Sequence, residues 1–257
     1  MASALVTGAT AGIGHAFVRH LAARGHDLVL VARDTDRMEA IKADITEQYG
    51  VQVEVFPADL SVDEDVHRVA DRLESTESPI DMLVNNAGFG LHAKLLNKDD
   101  LPLQRRAMDV MGWAVLVLSG AAGRAMKARG QGSIINVAST SAWIMSGNYS
   151  AIKAWVLTLT EGLALELHGT GVKVTALCPG WVHTEFHDRA GIKKTNLPDL
   201  VWVDIDELVT EALRDNERGK VVSIPTWKWK AAIFIATHGP KGFIRWFSRR
   251  LSSSRSK

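Results

Sequence analysis

The sequence predicts an α/β fold in which a central parallel sheet of about seven strands is flanked by helices on both faces. Three observations predict it. Short apolar runs alternate with segments of helical periodicity, an alternation typical of a parallel sheet. Glycine, proline and asparagine stand at the ends of the apolar runs, as in Pro57, Asn85-Asn86 and Pro179-Gly180. At 257 residues, 46% of them hydrophobic, one domain can bury a full core.

Seven apolar runs are predicted as strands and six periodic segments as helices. The strands are expected at residues 3–7, 27–32, 51–56, 80–84, 132–138, 172–178 and 220–224. The helices are expected at residues 13–24, 35–48, 63–75, 99–129, 147–168 and 205–216. Right-handed crossovers would then distribute the helices over both faces of the sheet. Residues 182–203 have poor periodicity and would lie above the strand ends, where open α/β sheets bind ligands, so we interpret them as a substrate loop.

The first strand leads into a glycine-rich turn, Gly8-Ala-Thr-Ala-Gly12-Ile-Gly14, and then into a helix. Strand, glycine turn and helix is the order required to hold the pyrophosphate of a dinucleotide. Glycine allows the backbone to approach the ligand, and the helix N-terminus supplies free N–H groups and a positive dipole end. The spacing is not the G-x-G-x-x-G fingerprint, and a glycine turn alone is equally typical of ordinary loops.

The end of the second strand predicts which dinucleotide is bound. An acidic residue there would hydrogen-bond the adenosine ribose hydroxyls and repel a 2′-phosphate. Here the strand ends in Ala32, and the guanidinium of Arg33 follows in a position suited to phosphate. This pattern favours NADP(H). The alternative is a solvated arginine that opens a loop.

Tyr149 and Lys153 stand four residues apart within a predicted helix, so both side chains project from one face. A phenol has an ordinary pKa of about 10, and a nearby ammonium lowers it. Such a tyrosine can exchange a proton with an alcohol or carbonyl oxygen. The alternative is an ordinary surface pair.

Taken together and in order, these motifs resemble the classical short-chain dehydrogenase/reductase family, in its NADP-preferring branch. The resemblance runs from about residue 3 to about residue 225 and rests on Thr7–Gly14, Asp59-Leu60, Asn85–Gly88, Ser139, Tyr149-x-x-x-Lys153 and Pro179-Gly180. It implies a single Rossmann-type domain and oxidoreduction between an alcohol and a carbonyl.

The resemblance also implies roles for three side chains. Ser139 would hold the substrate oxygen, Tyr149 would transfer the proton, and Lys153 would lower the pKa of the tyrosine and bind the nicotinamide ribose. The hydride comes from the cofactor. Ser141 is an alternative for the hydroxyl role because it lies two residues further on.

A set of cofactor contacts follows from the same resemblance. Asp59 would contact the adenine, and its alternative is a helix cap. Thr184 would orient the nicotinamide carboxamide, and it could also cap a helix. The contacts implied are Gly8, Thr10, Gly12, Ile13, Gly14, Arg33, Asp59, Leu60, Asn86, Ala87, Gly88, Tyr149, Lys153, Pro179, Gly180, Val182 and Thr184. No metal site is expected.

Two positions depart from the family pattern. Ser139 and Tyr149 are ten residues apart, and family members usually have about three more, so the wall of the substrate pocket formed by this loop is altered. The long predicted helix usually carries an asparagine that belongs to a proton relay. That place falls on Met111, whose thioether is a weak hydrogen-bond acceptor, although the backbone carbonyl there could still serve.

The substrate is expected to be lipophilic. Trp143, Trp181 and Trp202 lie in segments that would surround it, and tryptophan offers a large apolar surface. The alternative is that these side chains only pack the loop. We therefore expect an NADP(H)-dependent carbonyl reductase or alcohol dehydrogenase, with a dinucleotide-binding sensor or scaffold of little turnover as the second hypothesis. The family resemblance also implies a homo-oligomer, dimer or tetramer.

The last forty residues have a distinct composition. Residues 218–257 contain ten Lys or Arg and no Asp or Glu, in a chain that totals 30 basic and 29 acidic residues. Phe243, Trp246, Phe247 and Leu251 stand at helical spacing among these bases. A basic, aromatic amphipathic helix is typical of a membrane-surface element. The alternative is a helix that packs on its own domain or on a partner subunit. We divide the chain into a catalytic domain, 1–225, and an extension, 226–257.

The remaining composition predicts the compartment. The single cysteine, Cys178, excludes a disulfide framework and fits a reducing environment, and its apolar run predicts a buried thiol. No apolar run is long enough to span a bilayer, and the N-terminus lacks the basic region of a signal peptide. We expect a cytoplasmic protein with the tail as a candidate for peripheral membrane contact. Nucleic-acid binding is not expected, because the rest of the chain is acidic and has no recognition motif.

Overall fold

A computed structural model of the chain describes residues 2–91, 93–145, 147–182 and 202–238. Thr184, most of the predicted substrate loop and the tail beyond His238 lie outside the described residues. Within the described residues, no helix is both long and apolar enough to cross a bilayer.

Nine strands are present in the described residues, and seven of them form the central sheet. In chain order they are β1 Ser3–Thr7, β2 Asp27–Ala32, β3 Val53–Pro57, β4 Met82–Asn85, β5 Gly132–Val137, β6 Val172–Leu177, β7 Trp181–Val182, β8 Trp202–Val203 and β9 Val222–Ser223. The sheet is parallel throughout, in the order β3-β2-β1-β4-β5-β6-β9. This confirms the predicted doubly wound fold. The short strands β7 and β8 form a separate parallel pair.

Eight α-helices connect and follow the strands. They are α1 Gly12–Ala22, α2 Thr35–Tyr49, α3 Asp63–Glu74, α4 Leu101–Met108, α5 Ala114–Arg129, α6 Gly147–Glu166, α7 Ile205–Glu217 and α8 Trp227–His238, among the described residues. Successive side chains of a strand point to opposite faces of a sheet. Accordingly Ala4 and Val6 pack with α1, α2 and α7 on one face, and Leu5 packs with α3, α5 and α6 on the other.

The long helix predicted over 99–129 is divided by a π turn. A 3-10 turn at Lys98–Asp100 precedes α4, and α4 joins α5 through the π turn Asp109–Trp113. A π turn carries one extra residue relative to an α-helix, which local periodicity does not reveal. The predicted strand 220–224 is also shorter than expected, since only Val222–Ser223 pairs with β6. The sequence pattern does not predict the helix α8.

The order of the strands determines where a ligand can bind. The chain runs outward from β1 through β2 to β3, and then returns to the other side of β1 with β4. Open α/β sheets bind ligands at such a reversal, beyond the carboxyl ends of the strands. The glycine turn after β1 and the Asn85–Gly88 segment after β4 meet at this point.

Candidate active site

The glycine turn after β1 is shaped so that only glycine fits at two of its positions. Gly8 has a φ of +65°, in the left-handed region that L side chains rarely adopt. A Cβ built on Gly14 would overlap the carbonyl oxygen of Gly8 and the amide nitrogen of Asn86. The absence of side chains at these positions brings the turn and the start of α1 close together.

The N-terminus of α1 has no side-chain acceptor from its capping residue. Ala11 occupies the N-cap position and has no side-chain hydrogen bond to offer. The first N–H groups of a helix lack intrahelical partners, and with the helix dipole they make a binding position for an anion. The turn therefore has the features of a phosphate cradle.

Asn86 and Thr7 lock the glycine turn against the end of β4. The side-chain oxygen of Thr7 accepts hydrogen bonds from the backbone N–H groups of Asn86, at 2.9 Å, and Ala87, at 3.0 Å. In return, Nδ2 of Asn86 donates to the carbonyl oxygens of Thr7, at 3.0 Å, and Gly8, at 3.3 Å. Asn86 and Thr7 thus hold the glycine turn to the end of β4.

A buried polar network supports the same strand ends from below. Asn85 Nδ2 donates to Ser119 Oγ, at 3.1 Å, and to Asn136 Oδ1, at 2.9 Å. Ser119 Oγ donates to the same Asn136 oxygen at 3.1 Å, and Asn136 Nδ2 donates to Thr160 Oγ1 at 3.1 Å. Sequence reasoning missed Ser119, Asn136 and Thr160. The signal that could have identified them is a polar side chain inside an apolar run, as in Ile134-Ile-Asn136-Val.

Arg33 lies at the edge of the site beside Asp59. Its guanidinium is largely exposed, with Nη1 4.0 Å from the Asp59 carboxylate, and Arg106 Nη2 donates to the same carboxylate at 3.4 Å. Asp59 also accepts hydrogen bonds from the N–H and hydroxyl of Ser61, so it caps a local turn rather than α3. Burial raises the pKa of Asp59, but the bonds from Ser61 and the charges of Arg106 and Arg33 outweigh it and hold the pKa below its ordinary value.

Lys153 and Tyr149 project from one face of α6, and the lysine is buried. The ammonium nitrogen of Lys153 lies 5.9 Å from the centroid of the Tyr149 ring and donates to the carbonyl oxygen of Val137 at 2.8 Å. Burial lowers the pKa of Lys153 from 10.5 to about 8. The side chain therefore remains mostly protonated at neutral pH while standing in a desolvated position.

Ser139 stands where β5 gives way to the 3-10 turn Thr140–Trp143. Its Oγ accepts a hydrogen bond from the backbone N–H of Ser141 at 3.1 Å, so it caps this turn. Thr140 then binds the segment to the end of β6, because both its N–H, at 2.9 Å, and its hydroxyl, at 3.1 Å, donate to the carbonyl oxygen of Pro179. Neighbouring Cys178 is fully buried, and burial raises the pKa of its thiol to about 12, which disfavours the thiolate that a nucleophile requires.

Two of the three predicted aromatic residues lie in the short strands that follow β6. The rings of Trp181 and Trp202 meet edge to face, with centroids 5.9 Å apart and planes at 78°. Their strands pair, so the two ends of the predicted substrate loop are held together. Val182 is buried beside them, and Trp143 is half-buried in the 3-10 turn.

Met111 lies in the middle of the π turn and is 1% exposed. Its sulfur would lie 3.1 Å from a Cβ built on Gly88, so it packs against the end of the β4 segment. A side chain larger than glycine at position 88 would press on this thioether. Met111, which stands where the family usually has an asparagine, thus makes an apolar contact with the segment that follows β4.

Comparisons with known proteins identify the family of the chain. Residues 2–194 match the family model described as short chain dehydrogenase. The farnesol dehydrogenase of Aedes aegypti is 34% identical over 190 residues, which cover 71% of this chain and 78% of that protein.

Two solved structures are similar in both sequence and fold. A short-chain dehydrogenase from Sphingobium yanoikuyae, in complex with NADPH, is 35% identical with a TM-score of 0.82, over 90% of this chain and 92% of that one. The bulky-bulky ketone specific alcohol dehydrogenase from Comamonas testosteroni is 32% identical with a TM-score of 0.78, over 93% of each chain. Both similarities extend beyond the segment that the family model matches.

Proposed function

This chain belongs to the short-chain dehydrogenase family, and we propose that it is an NADP(H)-dependent oxidoreductase that interconverts a carbonyl and a secondary alcohol on a lipophilic substrate. The observation that carries the proposal is the buried ammonium of Lys153 beside Tyr149, at the carboxyl end of β5. A buried, titratable lysine beside a tyrosine at the end of a strand is typical of a catalytic site.

The residues present fit a dinucleotide. A side chain would fill the cradle at Gly14, the start of α1 offers N–H groups, and Arg33 supplies an exposed guanidinium at the end of β2. Arg33 would hold the 2′-phosphate, since no acid stands at the end of that strand. The nicotinamide supplies a hydride when it is bound. The NADPH complex of the Sphingobium relative supports this choice of cofactor.

Tyr149 is the proposed general acid and base. It would give a proton to the substrate oxygen in reduction and take one in oxidation, and a positive charge at the distance of Lys153 favours the deprotonated phenol. Ser139, two residues beyond the strand to which Lys153 is bonded, would hold the substrate oxygen through its hydroxyl. The bond from Lys153 to Val137 keeps these two segments together.

The lipophilic substrate is supported by the aromatic side chains near the strand ends. Trp181 and Trp202 form an apolar pair at the base of the predicted substrate loop, and Trp143 follows Ser139 in the 3-10 turn. Apolar and aromatic side chains with a few polar groups are typical of pockets for such ligands. The names of the similar proteins, one acting on farnesol and one specific for bulky ketones, support the same substrate class.

An exposed apolar surface supports a homo-oligomer. Met108, Trp113 and Leu116 are 53%, 44% and 38% exposed along α4, the π turn and α5, and Trp155 on α6 is 43% exposed. Large apolar side chains left exposed on the surface are typical of subunit contacts. We propose a dimer or tetramer in the cytoplasm, with the basic tail as a candidate for peripheral membrane contact.

The test of the function is a screen of ketones for NADPH oxidation. The panel should run from small alkyl ketones to aryl and terpenoid ketones, with NADH as the matched cofactor control. Turnover of bulky apolar ketones with NADPH is the expected result. The alternative, a sensor or scaffold, would bind NADPH with no turnover of any carbonyl, and that outcome would overturn the enzymatic assignment.

A further inference from the structure

The helix that follows the last strand presses a tryptophan onto the turn after β6. A Cβ built on Gly180 would overlap the indole ring of Trp229, and the three nearest atoms to that Cβ all belong to this ring. Trp229 itself is half-buried and packs against the core that includes Leu177 and Val182. Its contact with Gly180 therefore joins α8 to the segment that borders the proposed nicotinamide position.

The same helix lies beside the proposed catalytic serine. α8 packs against the 3-10 turn Thr140–Trp143, which begins at Ser139. Thr140 is bonded twice to Pro179, so the 3-10 turn and the Gly180 turn form one surface. The chain is about three residues short between Ser139 and Tyr149, and α8 stands next to this shortened segment.

Trp229 is held in place by a strained turn and an ion pair. Thr226 has a φ of +70°, a conformation that is costly for a β-branched residue. One carboxylate stabilises it: Glu211 on α7 accepts from the Thr226 N–H, at 3.0 Å, and from Lys230 Nζ, at 2.5 Å. Lys230 is the neighbour of Trp229 on α8. Glu211 therefore fixes both the entry into α8 and the helical turn that carries the indole.

We propose that Trp229 is a specificity-determining residue that limits the size of the substituents on the reacting carbonyl carbon, and that Glu211 is its positioning residue. This inference rests on the proposed function. An indole wall restricts the space beside it, because the ring is large and rigid and offers an apolar face with little capacity for hydrogen bonding. The indole lies on Gly180, and Thr140, the residue after Ser139, is bonded to the adjacent Pro179, so the indole would bound the space in which the carbonyl lies.

The experiment measures the ratio of kcat/KM for a bulky ketone, benzophenone, to that for a small one, cyclohexanone, with NADPH. Trp229→Ala should raise this ratio about tenfold or more, through KM for the bulky ketone, because steric contacts in a pocket discriminate on this scale. Trp229→Phe should raise it less. The matched control is Trp227→Ala, two residues away on the same helix and 73% exposed, which should leave the ratio unchanged.

Glu211→Ala should move the ratio in the same direction as Trp229→Ala, and the double variant should show little further change. Glu207→Ala, on an exposed position of the same helix, is its control. A merely structural role for Glu211 would lower thermal stability without moving the ratio.

The outcomes separate the inference from the function on which it rests. If the native protein turns over neither ketone nor any other carbonyl, the proposed function fails, and the inference with it. If the native protein is active and a folded Trp229→Ala or Trp229→Phe variant keeps the native ratio, the inference alone is overturned. Thermal unfolding and NADPH binding of each variant establish that it is folded. Should Trp229→Ala not fold, the Trp229→Phe variant decides the question.

Discussion

The ammonium group of Lys153 donates a hydrogen bond to the backbone carbonyl oxygen of Val137 over 2.8 Å. Val137 is the last residue of β5 and lies two residues before Ser139. The bond thus ties the helix that carries Tyr149 to the strand that leads to Ser139. Because burial lowers the pKa of the lysine only to about 8, the bond retains a charged donor at neutral pH.

The first prediction concerns stability at alkaline pH. The pKa of Lys153 is about 8 in the folded protein and 10.5 in its ordinary state. Between these two pH values Lys153 is largely neutral in the folded protein but still protonated in the unfolded chain. The free energy of unfolding therefore rises as pH increases from about 8 to about 10.5, and this gain is lost as pH falls back to 8. The full change in the free energy of unfolding is about 3 kcal/mol. The Lys153→Met variant lacks this pH-dependent contribution to stability.

Urea unfolding of the cofactor-free protein at several values between pH 8 and pH 10 measures this contribution as a difference between the native protein and Lys153→Met. The raised pKa of Cys178 acts in the opposite direction, but the thiol is present in both proteins. The free energy of unfolding of the native protein should increase relative to that of the variant as pH rises. Parallel curves would show that the lysine is not desolvated as the structure indicates.

The second prediction concerns the proton donor. Tyr149→Phe removes the hydroxyl and leaves the glycine cradle intact, so activity should fall about 10²-fold or more, as for the loss of a general acid. NADPH affinity should stay within a few-fold. The chain has one other tyrosine, Tyr49 at the end of α2, and Tyr49→Phe is the matched control that should remain active. Retention of most ketone reduction by Tyr149→Phe would contradict its role.

The third prediction concerns the choice of cofactor. A charge-assisted contact from Arg33 to the 2′-phosphate contributes about 1.5–3 kcal/mol. Asp59 lies 4.0 Å from Arg33 and partly offsets its charge, so we expect the lower part of this range, about a tenfold preference for NADPH over NADH. Arg33→Ala should remove the preference and leave NADH binding nearly unchanged. Arg124→Ala, which loses only the exposed pair with Glu74, is the control. Equal affinities of the native protein for NADPH and NADH would contradict the assignment of NADP(H) as the cofactor.

The fourth prediction concerns the basic tail. Residues 240–257 contain six Lys or Arg and no acid, and each base near an anionic surface contributes about 1 kcal/mol. The protein should therefore sediment with phosphatidylserine vesicles, remain free with phosphatidylcholine vesicles, and dissociate in high salt. Truncation after Gly239 leaves α8 whole and should abolish vesicle binding while sparing NADPH binding. Unfolding of the truncated chain, or loss of its oligomer, would instead make the tail structural.

Local pattern predicted the parts of the site that are close in sequence. The glycine turn, the end of β2 and the one-turn spacing of Tyr149 and Lys153 each follow from a few neighbouring residues. The remaining features depend on contacts between distant segments. Glu211 accepts hydrogen bonds from Thr226 and Lys230, which follow it in the chain beyond β9. Trp229 contacts Gly180, nearly fifty residues away in the sequence. Periodicity carries no information about such pairs.

The burial of polar groups is likewise a property of the assembled fold. Asn85 and Asn136 bond to each other only because β4 and β5 are neighbours in the sheet. The π turn at Asp109–Trp113 is likewise missing from the prediction, because one extra residue in a helical turn leaves no signal in local periodicity. Packing against the β4 segment, through Met111 and Gly88, accompanies the extra residue.

The last prediction concerns Met111, which stands where the family usually has a relay asparagine. The structure places it in a π turn, in which the helical hydrogen-bond ladder is displaced by one residue, and Gly112 beside it allows the backbone to distort. We expect the relay to run through the backbone carbonyl of residue 111, with the thioether filling apolar space. Met111→Asn should then change the rate by less than about tenfold.

The same substitution should lower stability, because a buried amide would replace a thioether that packs on Gly88. Leu165→Asn, on a 78% exposed position near the end of α6, is the control and should alter neither property. Steady-state reduction of a ketone that the native enzyme accepts, together with thermal unfolding, measures both. A hundredfold gain in rate with Met111→Asn would mean that the native relay is defective and that Tyr149 draws its proton by a slower path, which would strengthen the case for a dinucleotide-binding protein of little turnover.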